Sequence, residues 1–246
     1  MAKLLSARAV NFVLLGLVAM LLAGGFYGVD RLGGWRYLAH RLHTIEAWPT
    51  YTQRVSQLEL FAIPRAGIVL LGDSHIAYGE WHEWLAQHRI YNRGVPAEGS
   101  ERLLSADYFQ HLVEANADTF LLQVGTNDLL FDSDLPDAYT KLVTKITSDS
   151  AHVLLLCTLP GVNNEVRWTG IDEADVAQAN ARIRALSSEY RNVVLLDVAA
   201  ALGTVEGKLP ASLTDDGVHL RGEGYSIWSK LIDTTLRERE SLPQKD

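Results

Sequence analysis

A serine that directly follows a short apolar run is the first residue of this 246-residue chain that could do chemistry. Residues 68–75 read Ile-Val-Leu-Leu-Gly-Asp-Ser-His, and the apolar part is typical of a buried strand. A strand ending in Gly-Asp-Ser would bring Ser74 to the carboxyl edge of a sheet, at the start of the next helix. Open α/β sheets place their sites at this edge. Because a serine is inert until a base accepts its proton, Ser74 requires partners from elsewhere in the chain.

Partners of suitable type lie further along the chain. Asp216 and His219 are three residues apart, so the carboxylate can orient the imidazole while His219 deprotonates Ser74. Asn127 follows another apolar run, and its side-chain NH₂ group suits an oxyanion hole. Each motif by itself is also typical of an ordinary turn. Their order, with Ser and Asn at strand ends and a late Asp-x-x-His before a helix, predicts a Ser-His-Asp site.

Five apolar runs alternate with amphipathic helical patterns and would position these residues. The alternation predicts an α/β fold of three layers, with helices on both faces of a five-stranded parallel sheet. The helical spacing of three and four residues is clear in the last segment. The predicted strands are residues 68–71, 90–92, 119–124, 152–157 and 193–197, and the last helix carries Tyr225, Trp228, Ile232 and Leu236.

The motifs resemble the sequence blocks of the SGNH (GDSL-type) hydrolases. Gly72-Asp73-Ser74 is similar to the first block, and Gly125-Thr126-Asn127-Asp128 is similar to the third. The last block is matched by residues 216–220 together with 224–228. The resemblance extends over about residues 66–238, with further similar segments at 91–95, 158–160 and 180–183.

This resemblance implies a flavodoxin-like fold and a serine esterase. It assigns Ser74 as the nucleophile, His219 as the base and Asp216 as the residue that orients His219. It also implies an oxyanion hole formed by the backbone N–H groups of Ser74 and Ala97 and by the side chain of Asn127.

The substrate class follows from a more local likeness. Residues 79–85, leading into residues 92–94, are similar to family members that remove acetyl groups from carbohydrates or act like platelet-activating-factor acetylhydrolases. We expect short acyl esters as substrates, with O-acetyl groups on envelope saccharides favoured over long-chain lipids. Two alternatives stay open: an O-acyltransferase that uses the same residues, and a non-catalytic saccharide-binding module.

One position departs from the family pattern. Family members usually read Asn-x-Gly-x-x-Gly-Asp, whereas residues 92–98 read Asn-Arg-Gly-Val-Pro-Ala-Glu, so Ala97 replaces a glycine. An alanine at positive φ would be strained, and Gly94 or Gly99 could then supply the oxyanion N–H group instead. We expect a negative φ at Ala97, with its N–H group facing the site.

Composition limits the remaining function classes. The chain is 48% hydrophobic and 21% charged, which is enough for one substantial core. Residues 66–246 hold 15 basic and 27 acidic residues, and this acidity argues against nucleic acid as a partner. Cys157, the single cysteine, ends an apolar run, so we expect a buried small hydrophobe rather than a nucleophile.

The N-terminal segment predicts a membrane partner. Lys3 and Arg8 precede an uncharged run from Phe12 to Val29, near the lower length limit of a transmembrane helix. We expect a signal anchor that keeps the catalytic domain on the export side, periplasmic or extracellular. A cleaved signal peptide and a buried helix of a cytosolic enzyme are the alternatives. The predicted organisation is an anchor at 1–29, a juxtamembrane linker and helix at 30–65, and a hydrolase domain at 66–240.

We expect neither a metal nor a cofactor. His75, His82 and His88 are seven and six residues apart, too far for ligands on adjacent helical turns, and no acidic pair accompanies them. No glycine-rich nucleotide motif is present. An aromatic series with helical spacing follows the nucleophile and favours core packing over stacking on a sugar. Its members are Tyr78, Trp81 and Trp84.

Overall fold

A computed structural model describes residues 16–18, 20–25, 27, 49–61, 67–114, 117, 119–149 and 151–241. The strands are β1 (Ile68–Gly72), β2 (Ile90–Gly94), β3 (Thr119–Gln123), β4 (Val153–Cys157) and β5 (Val193–Leu196). The helices of the main body are α1 (Pro49–Leu60), α2 (Ser74–Ala77), α3 (Trp81–Trp84), α4 (Ser100–Ser105), α5 (Asp107–Val113), α6 (Asp137–Thr147), α7 (Glu173–Ser187), α8 (Val198–Leu202) and α9 (Gly222–Ser241).

The five strands form one parallel sheet in the order β2-β1-β3-β4-β5. This is the strand order of flavodoxin-like folds. The predicted α/β fold with a five-stranded parallel sheet is confirmed, and each strand boundary lies within two residues of its predicted place. Because β1 lies between β2 and β3, the segments that follow these three strands meet at one edge of the sheet. Those segments contain Ser74, Ala97 and Asn127.

Helices cover both faces of the sheet. Val69 and Leu71 of β1 belong to the core on one face, and Ile68 and Leu70 belong to the core on the other. A strand buried on both faces needs apolar residues at every position, which is why β1 is an unbroken apolar run rather than an alternating one.

Several further residues that the sequence places in the core are buried. Cys157 is fully buried and unpaired, as expected, and burial raises the pKa of its thiol. Trp81 and Trp228 are fully buried and meet edge to face, with ring centroids 5.2 Å apart. The last helix buries the four positions that its spacing predicts, Tyr225, Trp228, Ile232 and Leu236.

Helix α1 comes from the segment predicted as a juxtamembrane linker and helix. Leu58 is buried, and Tyr51 and Val55 pack against the core beside it. These three residues follow the i, i+4, i+7 spacing of one helix face. The helix therefore docks on the domain through an apolar stripe.

The predicted anchor lies largely outside the described residues. Residues 16–18 and 20–25 are helical. Within the part of the chain that the structure describes, no helix combines the length and apolar character required to cross a bilayer. The anchor at residues 1–29 stays a prediction.

Candidate active site

The turn after β1 presents Ser74 at the edge of the sheet. Gly72 has φ +157°, and a Cβ atom there would lie 1.9 Å from the carbonyl oxygen of Gln123, so only glycine fits. Asp73 caps α2 by accepting a 2.9 Å hydrogen bond from the His75 N–H group. Ser74 is consequently the first residue of α2 and is largely buried.

Three predicted residues form one hydrogen-bonded row. Ser74 Oγ lies 2.9 Å from His219 Nε2, and His219 Nδ1 lies 2.6 Å from Asp216 Oδ2. Because an ionised carboxylate can only accept hydrogen bonds, Nδ1 carries the hydrogen and Nε2 is left to accept one from the serine. The row has the connectivity that general-base activation of a hydroxyl requires.

Asp216 is held as a carboxylate by its own loop. Its Oδ1 accepts hydrogen bonds from the N–H groups of Val218 (2.9 Å) and His219 (2.8 Å). Partial burial alone would raise the pKa of Asp216, but the hydrogen bond to His219, the electrostatic interaction with that ring and the two backbone donors lower it below its usual value. Gly217 has φ +85°, and a Cβ atom there would lie 2.6 Å from the carbonyl oxygen of Asn163, so the tight loop requires glycine.

His75 ties the serine turn to the histidine loop. Its Nε2 lies 3.0 Å from the carbonyl oxygen of Val218, and its Nδ1 lies 3.2 Å from Asp73 Oδ1. Burial alone would lower the pKa of His75, but the hydrogen bond and charge of Asp73 outweigh it and the pKa is raised. In the sequence analysis, His75 is treated only as a possible metal ligand, and its role in linking the two loops is not predicted. Its place directly after the candidate nucleophile was the available signal.

Ala97 does not have the backbone conformation expected from the sequence. Its φ is +65°, so the expectation of a negative φ is wrong. The residue lies in a turn in which the Glu98 N–H group donates to the carbonyl oxygen of Val95 at 3.1 Å. That turn, rather than the local preference of alanine, determines φ.

The Ala97 N–H group nevertheless remains available to a ligand. No acceptor among the described residues contacts it. The two alternative donors are occupied, since the Gly94 N–H group donates to Asn92 Oδ1 (2.9 Å) and the Gly99 N–H group donates to Glu98 Oε1 (3.1 Å). The contacts therefore favour Ala97 over Gly94 and Gly99 as the backbone donor.

Asn127 is tied to the same segment. Its Nδ2 donates a hydrogen bond of 2.9 Å to the carbonyl oxygen of Glu98. A side-chain amide has two N–H bonds, so one remains for a substrate oxygen. The adjacent Asp128 accepts from both the N–H and the hydroxyl of Ser100 (3.0 and 2.5 Å), which connects the turn after β3 to the start of α4.

Glu98 is a buried carboxylate that anchors the segment. Its side chain accepts hydrogen bonds from Tyr51 (3.3 Å), Tyr108 (3.2 Å) and Arg102 Nε (3.3 Å). Arg102 also donates to the carbonyl oxygen of Ala97. Burial raises the pKa of Glu98, although the charge of Arg102 opposes the shift. These contacts fix the backbone on both sides of the Ala97 N–H group.

Helix α1 supports the segment from the other side. Arg54 Nε donates to the carbonyl oxygen of Gly94 (3.0 Å), and its Nη2 donates to that of Asn92 (2.8 Å). The sequence interpretation gave this helix no role in the site, because the contacts join residues about forty positions apart. The amphipathic spacing of α1 would have predicted docking but not its target.

A cavity of about 550 Å³ is lined by residues of α1, β2 and the segment that follows α2, and by none of the three residues of the row. Tyr78, on its wall, is exposed and places its ring 5.3 Å from the His219 ring. The aromatic series after the nucleophile therefore divides, because Trp81 is in the core while Tyr78 and Trp84 are exposed. Among the described residues, no group of three or more His, Cys, Asp and Glu side chains is placed to hold a metal ion.

Comparisons with solved structures find proteins of similar fold. A protein from Streptococcus pneumonia provisionally described as a platelet activating factor has a similar fold (TM-score 0.67, 21% identity, 80% of this chain and 99% of that one). A carbohydrate esterase family 3 protein from Talaromyces cellulolyticus (TM-score 0.53, 16% identity, 72% and 99%) is also similar. So is the catalytic domain of peptidoglycan O-acetyltransferase A from Streptococcus pneumoniae (TM-score 0.52, 17% identity, 72% and 96%).

No curated protein matches the chain in sequence. The sequence model of the GDSL-like lipase/acylhydrolase family, in contrast, matches residues 70–227. This match begins inside β1 and ends within α9, so it includes the other four strands and every predicted site residue. The resemblance to the SGNH hydrolases is confirmed, and the chain belongs to the GDSL-like lipase/acylhydrolase family and is a hydrolase.

Proposed function

We propose that the chain is a serine esterase that removes short acyl groups, in particular O-acetyl groups, from carbohydrates. The row from Ser74 Oγ through His219 to Asp216 carries the proposal, with separations of 2.9 and 2.6 Å. A serine, a neutral imidazole and a fixed carboxylate in this order are what acyl transfer through an acyl-enzyme requires.

Acylation would begin when His219 Nε2 accepts the Ser74 proton as Oγ attacks the ester carbonyl carbon. The oxyanion would receive hydrogen bonds from the N–H groups of Ser74 and Ala97 and from Asn127 Nδ2. When the C–O bond of the ester breaks, His219 returns the proton to the departing alcohol. Water then attacks the acyl-serine with His219 as base. The bond between the acyl carbon and Ser74 Oγ breaks, His219 returns the proton to Oγ, and the acyl group leaves as a carboxylic acid.

The preference for carbohydrate esters rests on two observations. The exposed Tyr78 ring beside His219 offers an apolar face on which a sugar could pack. The carbohydrate esterase family 3 protein also has the same fold. We propose an export-side location for the enzyme, on the basis of the uncharged run from Phe12 to Val29 and its basic flank.

Transfer to an acceptor sugar is the second candidate. The similarity to the peptidoglycan O-acetyltransferase A domain favours it, since a sugar hydroxyl can replace water in the second step. His219 is partly exposed, with 38% of its side chain accessible, so an acceptor could reach the acyl-serine. Product analysis with methyl xyloside as an added acceptor separates the two, because transfer yields an acetylated acceptor while hydrolysis yields only acetate.

Rates on esters of increasing acyl length test the proposal. The full-length chain should hydrolyse p-nitrophenyl acetate and acetylated xylose, and it should act more slowly on p-nitrophenyl octanoate. Ser74→Ala should lose on the order of a thousandfold or more in kcat. Ser188→Ala, on the surface after α7, is the matched control. Equal rates for Ser74→Ala and the wild type would remove Ser74 from the mechanism.

A further inference from the structure

Two guanidinium groups meet at one backbone oxygen beside the candidate active site. Arg54 Nη2 donates to the carbonyl oxygen of Asn92 at 2.8 Å, and Arg93 Nη1 donates to the same oxygen at 3.4 Å. Both side chains line the cavity of about 550 Å³ next to Tyr78. We propose that this cavity binds an anionic group, a carboxylate or a phosphate, carried by the ester substrate. The inference rests on the proposed function, because it extends the substrate of the same site.

The positive charge of Arg54 is not balanced by a neighbouring acid. Its two hydrogen bonds go to neutral carbonyl oxygens, and no carboxylate among the described residues forms an ion pair with it. Burial lowers the pKa of Arg54, yet an arginine remains protonated in any protein environment. A half-buried cation that contacts only neutral acceptors favours an anionic ligand.

Arg93 adds a second cation to the same wall. Its guanidinium lies over the rings of Phe61 (4.9 Å) and Tyr91 (5.6 Å), contacts that hold the group in place while it keeps its charge. Burial lowers the pKa of Arg93, and the charge of Arg54 lowers it further. Two guanidinium groups that donate to the same carbonyl oxygen repel each other, and an anion between them would offset that repulsion.

Arg54 and Arg93 lie in a domain that is otherwise acidic. Residues 66–246 have a net charge of −12, and Glu80 is the one acid among the described lining residues. A general attraction of anions to this surface is therefore excluded, and binding would depend on the guanidinium groups themselves. Planar guanidinium groups match the oxygen spacing of carboxylates and phosphates.

The cavity also lies where it can act on the reaction. Ala77 and Tyr78, at the end of α2, line it, and Ser74 begins the same helix. Pro96 lines it too and directly precedes Ala97. A ligand group held against these residues would lie near the end of the short helix that Ser74 begins and near the residue that precedes Ala97. The volume lies within the range of small-molecule sites, roughly 300–1,000 Å³.

Three matched esters test the inference on the full-length chain. They are 3-O-acetylglucose, 3-O-acetylglucuronic acid and 3-O-acetylglucose 6-phosphate, which differ only at the sixth carbon. We expect kcat/KM at low ionic strength to be about tenfold higher for at least one anionic ester than for the neutral one, and the two anionic arms distinguish carboxylate from phosphate. Equal kcat/KM for all three esters would overturn the inference.

Variants of Arg93 test whether the cavity causes the preference for an anionic ester. Arg93→Gln should lower the ratio of kcat/KM for the preferred anionic ester to that for the neutral ester by about fivefold or more, and Arg93→Lys should lower it less, because lysine keeps the charge but loses the planar guanidinium group. Arg191→Gln is the control. It also removes one positive charge, but Arg191 lies just before β5, at the opposite edge of the sheet, so the ratio should not change. Arg54 is unsuitable because it also holds the β2 carbonyls. An unchanged ratio in Arg93→Gln contradicts the assignment.

The salt dependence remains decisive if Arg93→Gln does not fold, and a binding measurement remains decisive if no ester is hydrolysed. Raising the salt from about 20 to about 500 mM should move the wild-type ratio toward one, since salt screens the attraction of a charged ester from solution and its anions compete for the guanidinium groups. Calorimetric titration of Ser74→Ala with glucuronic acid, glucose 6-phosphate and glucose tests binding without catalysis. Absence of hydrolysis would reject the proposed function alone, whereas equal or absent binding of all three sugars would reject the anion site.

Discussion

The side-chain amide of Asn127 donates a 2.9 Å hydrogen bond to the carbonyl oxygen of Glu98. This bond joins the turn after β3 to the segment after β2, so the two candidate oxyanion donors outside the serine turn are held by one contact. Glu98 is in turn fixed by Tyr51 of α1 and Tyr108 of α5. The oxyanion side of the site is therefore built by tertiary contacts rather than by one local motif.

Asn127→Ala should lower kcat by about two to three orders of magnitude, because one oxyanion donor is lost, with a smaller change in KM. Steady-state kinetics on p-nitrophenyl acetate measures this. Asn192→Ala is the control, since Asn192 Nδ2 bonds the carbonyl oxygens of Thr147, Asp149 and His152 remote from the site. That variant should lose stability but not kcat. A kcat for Asn127→Ala within threefold of the wild type would exclude the donor role.

Ala97→Gly should stabilise the protein by up to about 1 kcal/mol. The strain of an alanine at φ +65° destabilises the folded protein by roughly 1–2 kcal/mol, and glycine would relieve it. Glycine also makes the unfolded chain more flexible, which offsets about 0.4–1 kcal/mol of that gain. Turnover should change little, since the N–H group already has its position. Ala97→Val should destabilise, because a branched side chain fits positive φ poorly. Urea denaturation gives the unfolding free energy of both variants, and steady-state kinetics gives their turnover. A loss of stability in Ala97→Gly would show that Ala97 is not strained.

Tyr51→Phe should lower kcat several-fold, because Glu98 loses a hydrogen bond from α1 and the segment that carries Ala97 becomes less fixed. It should also lower the unfolding free energy by about 0.5–1.5 kcal/mol. Tyr190→Phe removes a comparable hydroxyl, which contacts Thr144 at 2.8 Å away from the site. That control should lose stability without losing kcat. Equal kcat values for the two variants would show that α1 does not support the site.

Asp128 should make stability fall as pH rises through the weakly acidic range. Burial raises its pKa from 3.8 to about 6, so its contribution is fully present below pH 3.8 and is lost as pH rises through 6. Asp128→Asn removes this titration. The unfolding free energy of the wild type minus that of Asp128→Asn should therefore decrease from pH 4 to pH 7. Urea denaturation across that range measures it, and a constant difference would contradict the shifted pKa.

The sheet was predictable from local patterns, and the serine row was predictable because its motifs resemble the sequence blocks of a known family, although Ser74 and His219 are 145 residues apart. Strands buried on both faces are continuous apolar runs, and parallel strands bring their carboxyl ends together, so Ser74 and Asn127 had to lie at one edge. The conformation of Ala97 was not predictable, since its turn is imposed by contacts such as that of Arg102 with its carbonyl oxygen. His75 and Arg54 contact partners that are 143 and about forty residues away in the sequence. Neither contact is part of a recognised motif, so the sequence did not indicate them.

Covalent labelling of Ser74 tests the central claim, that this hydroxyl is an activated nucleophile. The full-length chain should react with a fluorophosphonate, and mass spectrometry of its peptides should find the adduct on Ser74. Labelling should be absent in Ser74→Ala and strongly slowed in His219→Ala, because the probe requires a serine whose proton has an acceptor. A wild-type chain that stays unlabelled would contradict the account and favour a non-catalytic saccharide-binding module, and labelling elsewhere at the same rate in Ser74→Ala would contradict it by showing that another residue is the activated nucleophile.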